Sequence, residues 1–182
     1  MRLFIFPLFV LALLSARPAF SAQAYCNGVD SFETVLSLLS KRLDLAADVA
    51  RYKWNQKADI EDSAREQLII KKLVTDATAK DLPADWSEQF FRAQIEASKS
   101  VQRQLFDDWQ KNHAGTFADV PDLNSQTRPK LYTLMSELID ALTKAWQPLH
   151  QEQCKTVLDM LVREKLLKPE YKAASKPLFE VR

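Results

Sequence analysis

The stretch "DSFETVLSLLSKRLDLAADVARYKWNQK", residues 30–57, carries apolar side chains at Leu36, Leu39, Leu43, Ala46 and Ala50, in alternating steps of three and four. That spacing lays one apolar stripe along a helix and leaves the charges to its other faces. Asp30 and Glu33 stand where a capping box would start it, Asp30 at the N-cap and Glu33 reaching back. The stretch therefore predicts a long first helix, with Trp54 directed to the core and Arg51, Asn55, Gln56 and Lys57 to solvent. A second helix is predicted over residues 60–79, with Leu68, Ile69, Leu73 and Val74 inward and Ile60 in the core. Asp85 and Glu88 form a second box ahead of a helix over 85–111, and residues 112–124 read as a loop. A fourth helix starts near Ser125, accepting Pro129 in its first turn, and is broken by Trp146-Gln147-Pro148. A shorter helix follows over 150–167. Gly28 and Gly115 are the only glycines, and no alternating β-branched run of strand length occurs. The reading is all-α, a single-domain helical bundle of about five to six helices.

The first residues stand apart from this pattern. Arg2, the apolar run "LFIFPLFVLALL" (residues 3–14) and the small-x-small triplet Ala22-Gln23-Ala24 read as a cleaved signal peptide over residues 1–24, cut before Tyr25. The apolar run is shorter than the roughly 20 residues a membrane span needs. Residues 25–182 form the helical domain, 182 − 24 = 158 residues, enough for one real core. Cleavage removes Arg2 and Arg17 and no acid, leaving 23 basic against 24 acidic side chains, a net charge of −1. Such a balance gives no electrostatic footprint for nucleic acid or for an anionic membrane. The expected location is periplasmic or secreted. There, the two cysteines, Cys26 and Cys154, are expected to form a structural disulfide. Closing so long a loop is worth on the order of 4 kcal/mol in the chain-entropy account.

Several charges fall at spacings that converge. Arg42 and Lys53 are eleven residues apart, about 20° past three full turns and about 16 Å along the axis, so two long cations share a face. Asp62, Arg65 and Glu66 are related by three and four positions. Ser98 and Gln102 lie four apart on the side of Phe91, Gln94 and Ile95. Arg128 opens the fourth helix, at the end where the helix dipole disfavours a cation. Taken singly, each reads as an ordinary surface residue. Exposed ion pairs contribute less than about 1 kcal/mol, and long cations commonly cover apolar surface with their heads in water. Together they could line a pocket for a small dianion.

In "RLDLAADVARYKW", "IEDSARE" and "FFRAQIEASKSVQ" the chain resembles the all-helical AroQ-type chorismate mutases, in particular their exported subclass, over residues 37–109 and more weakly beyond. The resemblance implies a cofactor-free, metal-free rearrangement of chorismate to prephenate. Arg42, Arg65 and Arg128 would bind the two carboxylates, Lys53 a carboxylate and the ether oxygen, Ser98 a carboxylate. Gln102 would donate to the ether oxygen, while Asp62 and Glu66 receive the ring hydroxyl or hold the cations. Arg42, Lys53 and Gln102 would carry the catalysis. Cytosolic relatives borrow an arginine from a second chain, and Arg128 resembles the residue that exported relatives use instead. Some of these carry glutamine where this chain has Ile69. A homodimer is implied by the family alone.

Two rival readings follow from the same residues. A lyase of this fold that releases pyruvate from isochorismate would also need Arg and Lys around an enolpyruvyl dianion. A non-catalytic exported helical binding protein would need the stripes and the disulfide, without Lys53 and Gln102 in register. His113 and His150 lack the His-Glu-x-x-His spacing of a catalytic zinc site, and neither a Gly-rich phosphate loop nor a Gly-x-Ser-x-Gly elbow is present.

Overall fold

The computed structural model describes residues 26–181. The expected signal peptide over residues 1–24 and its cut before Tyr25 lie outside the described residues. Within them the chain is helical: α1 (Val29–Asp44), α2 (Ala46–Asn55), α3 (Ser63–Thr78), α4 (Ala84–Lys111), α5 (Arg128–Leu149), α6 (Glu152–Lys165) and α7 (Pro169–Ser175). A π-helical turn, Leu123–Thr127, leads into α5, and a 3-10 turn, Lys176–Phe179, follows α7. The expected long first helix is α1 and α2 in succession, interrupted at Leu45 alone. That residue keeps near-helical dihedrals (φ −69°, ψ −12°), and its carbonyl still accepts from the Val49 N–H at 3.1 Å. The apolar stripe passes through the interruption, with Leu36, Leu39, Leu43, Ala46 and Ala50 all buried.

Helix starts depart from expectation wherever a better partner takes the capping carboxylate. Gly28, not Asp30, precedes α1, and Glu33 pairs with Lys165 of α6 at 3.0 Å. Pro83 precedes α4 without a side-chain cap, and Glu88 pairs with Arg92 one turn on. Among the α-helices the side-chain cap that forms is Asp62, which accepts from the Arg65 N–H at 3.3 Å while Glu66 accepts from the Asp62 N–H at 3.2 Å. So α3 begins at Ser63 rather than Ile60. Its inward face is Ile70, Leu73 and Ala77; Leu68, expected inside, is 71% exposed.

Three chain reversals use left-handed residues other than glycine. Lys57, Asp81 and His113 have φ of 52°, 63° and 51°. The N–H of the residue after each reaches back five positions to the carbonyl of Lys53, Ala77 or Trp109, which satisfies a terminal carbonyl as in a Schellman end. Helix α5 runs through the expected break and ends at Leu149, because Pro148 sits in the last turn. A Cβ on Gly28 would collide with the Pro148 side chain, so the bare backbone there lets the N-terminal turn lie against the end of α5.

The core is gathered between α1, α5, α6, α7 and the first half of α4. Trp86 stacks on Phe90 at 5.2 Å and meets Trp146 edge-on at 4.8 Å. Cys26 and Cys154 are joined as expected, which ties the start of α1 to α6 across 128 residues of sequence. At the opposite end, Trp54 packs against Phe106 and Trp109, and Trp109 against Phe117. Trp54 is thus half-exposed in an aromatic cluster outside the core, and its indole N–H donates to the Gly115 carbonyl at 3.0 Å. Asn55, expected in solvent, brackets the backbone of Phe117 with two bonds of 2.9 Å. These contacts fasten the loop before α5 to α2.

Candidate active site

Helices α1 to α5, together with the turn ahead of α5, line a cavity of about 150 Å³. All eight expected site residues line it: Arg42 from α1, Lys53 from α2, Asp62, Arg65 and Glu66 at the start of α3, Ser98 and Gln102 from α4, and Arg128 at the start of α5. The remaining wall is largely apolar, with Val49, Ile69, Leu73, Ile95 and Met135 among its residues. Ile60, expected in the core, is part of this wall and offers its carbonyl to Lys53 Nζ at 2.6 Å.

Position in the fold decides how each cation is held. Arg42 lies in the last turn of α1 and is 8% exposed. Its Nη1 donates to the Gln94 carbonyl at 2.8 Å and its Nε lies 3.1 Å from Met135 Sδ. Burial pulls its pKa down to about 10. Lys53 is also pulled below its ordinary value by burial, a shift that Asp62 and Glu66 partly oppose. Arg128 is lowered by burial and then by the nearby Arg65, and is steadied by a hydrogen bond to Asn124. Asn124 is itself placed by Asp122, whose carboxylate caps the π-helical turn through the N–H groups of Asn124 and Ser125.

None of these four cations, Arg42, Lys53, Arg65 and Arg128, has a carboxylate within salt-bridge distance among the described residues, whereas Lys72, Lys80, Arg92 and Lys165 elsewhere on the surface all do. Holding unpaired cations around one apolar cavity costs free energy that an entering anion recovers.

Helix α4 supplies the neutral donors. Phe91, Ile95, Ser98 and Gln102 follow in steps of four, three and four, a stripe that begins apolar and ends polar. Gln102 is 4% exposed; its amide nitrogen donates to Ser98 Oγ at 3.3 Å, and its amide oxygen is buried without a partner. A site built this way can hold a small dianion at both ends and direct a neutral N–H at a point between them. Lys99 was missed by sequence reasoning. It lines the same cavity from beside Ser98, but a lone lysine in a charged helix carries no sequence signal of its burial.

Comparisons with known proteins give the family and the fold. A family model described as chorismate mutase type II matches residues 33–103. A secreted chorismate mutase of Mycolicibacterium smegmatis is 33% identical over 149 residues, covering 82% of each chain. One of Mycobacterium tuberculosis is 28% identical, covering 78% of this chain and 70% of that protein. Among solved structures, a chorismate mutase from Burkholderia thailandensis superposes with a TM-score of 0.72 at 30% identity, over 83% of this chain and 98% of that one. The chain belongs to the chorismate mutase type II family. Within that family, two of the relatives it matches over more than three quarters of its length are named secreted.

Proposed function

We propose that this exported chorismate mutase carries out its rearrangement with the eight side chains around the cavity in distinct roles. Chorismate becomes prephenate when the ether C–O bond breaks and a new C–C bond forms between the enolpyruvyl arm and the ring. The step is intramolecular and calls for no nucleophile and no electron carrier. What accelerates it is holding the arm over the ring and meeting the negative charge that grows on the ether oxygen. Arg42, Arg65 and Arg128 take the two carboxylates, with Ser98 as a further donor. Lys53 and Gln102 face the ether oxygen, Lys53 as a charge and Gln102 as a neutral donor available at any physiological pH. Each Glu66 oxygen accepts one protein hydrogen bond, which leaves lone pairs for the ring hydroxyl, with Asp62 beside it. Ile69 stands where some exported relatives have glutamine, so here that part of the wall is apolar.

The observation that carries this reading is the gathering of four cations, unpaired among the described residues, and the buried Gln102 around one apolar cavity. The test is an ultraviolet assay of the exported protein on chorismate without added metal or cofactor, beside Lys53→Ala. Prephenate formation is expected, with the variant losing at least about 3 kcal/mol of transition-state stabilisation. If the folded wild type left chorismate untouched, the reading would fall and isochorismate would be the substrate to try next. Cleavage before Tyr25 is supported by the Ala22-Gln23-Ala24 pattern, and the mass of the exported protein tests it. A homodimer is supported by the family resemblance alone. The near-neutral charge supports a small-molecule partner rather than nucleic acid, and among the described residues no helix is long and apolar enough to cross a membrane.

A further inference from the structure

Lys99 lines the cavity and yet has no proton to offer a substrate. Its side chain is 8% exposed, and its ammonium meets Glu61 at 2.7 Å, Glu96 at 2.7 Å and Glu66 at 3.0 Å. An ammonium has three protons, and three carboxylates take them. Those carboxylates outweigh the burial that would otherwise lower its pKa, so Lys99 stays charged. This is the reverse of Arg42, Lys53, Arg65 and Arg128, which lack such partners among the described residues.

The partners show what the pairing does. Of the three carboxylates, Glu66 is the one that lines the cavity, where a dianionic substrate would meet it as a like charge. Glu61 and Glu66 also bracket Asp62, so both ends of the segment that starts α3 are fastened to α4. Arg103 holds the second oxygen of Glu61 at 2.8 Å, and Lys53 holds the Ile60 carbonyl just before it. We propose that Lys99 is a positioning residue for the rearrangement: it fixes the start of α3 against α4 and cancels the charge of Glu66 toward the dianion. This rests on the mutase reading given above.

Glu66 is faced by Lys99 from α4, by Lys53 from α2, by Arg128 across the cavity from α5, and by Glu61, Asp62 and Arg65 at its own end of α3. The experiment compares wild type, Lys99→Met, Lys99→Arg, Glu66→Gln and the Lys99→Met/Glu66→Gln double variant on chorismate, with wild-type turnover reporting separately on the mutase reading. Lys99→Met is expected to raise KM about tenfold while changing kcat less than about threefold. Adding Glu66→Gln should bring KM to within about threefold of the Glu66→Gln single variant, and Lys99→Arg should keep KM near wild type. A Lys99→Met enzyme with unchanged KM would overturn the proposal. So would a defect unrelieved by Glu66→Gln, which is what a purely structural staple would give. If Lys99→Met does not fold, Lys99→Gln removes the same charge while keeping hydrogen bonds to the carboxylates, and carries the same expectations.

Discussion

The two halves of α4 bury different chemistry. Its first half buries Trp86, Phe90 and Phe91 against α5 and the C-terminal segments, while its second half buries Lys99 and Gln102 against the cavity. Gln94 stands at the junction: its backbone carbonyl holds Arg42, and its side-chain amide donates to the Ala174 carbonyl of α7 at 2.7 Å. Burying aromatic rings stabilises the fold, and burying an ammonium or an amide costs free energy unless each polar atom is met. The difference separates the half that supplies stability from the half that uses it to keep charges and donors aimed at a substrate.

The largest effect that would sharpen this contrast is on the first half. Phe90 is fully buried, and Phe90→Ala is expected to lower the unfolding free energy by about 3–5 kcal/mol. Denaturant titration would read this, with the kcat of the remaining folded enzyme staying within about twofold. A comparable loss of kcat at saturating substrate would mean the two halves are not separable.

The second half should respond in the opposite manner. Gln102→Glu is expected to leave the midpoint of unfolding nearly unchanged and to lower kcat/KM by about 100-fold at neutral pH, as for loss of one donor to a developing oxyanion. Activity should return as the medium is acidified and the new carboxyl becomes a donor. A flat pH–rate profile in this variant would remove Gln102 from its assigned role.

The smallest expected effect concerns Lys53. Burial, partly offset by Asp62 and Glu66, sets its pKa below the ordinary 10.5. Free enzyme therefore loses the Lys53 charge at a lower pH than an ordinary lysine would, and kcat/KM should decline there by up to about tenfold per pH unit. A bound dianion favours the charged form, so the decline in kcat should lie at higher pH than the decline in kcat/KM. Coincident limbs would mean that Lys53 does not meet the substrate's charge.

How far the fold and cavity were legible follows from which signals were periodic. The stripe from Leu36 to Ala50 set α1 and α2 because burial of one face is what the spacing encodes. The eight cavity positions were legible as a pattern of charges and amides at family spacing, and the fold brings them together. Helix starts were less legible. Glu33 and Glu88 have the capping spacing but found Lys165 and Arg92, and only the folded chain shows which partner wins. Helix ends carried no glycine, since Lys57, Asp81 and His113 fill the left-handed positions. Leu68 and Ile70 look alike in sequence, and the start of α3 at Ser63 decides which faces inward. The lysine bridge at Lys99 needed three carboxylates, one each from the segment before α3, from α3 and from α4, the first across 38 residues, and no local spacing announces that.

The four tryptophans divide along the same line. Trp86 and Trp146 touch in the apolar half, and Trp54 and Trp109 touch at the end of α2, one residue beyond Lys53. The molecule thus carries two optical reporters without any label. Emission from the first pair should be blue-shifted and follow global unfolding. Emission from the half-exposed second pair should shift when a ligand engages Lys53. Phenylalanine replacements at one pair would leave a single-colour view of the other.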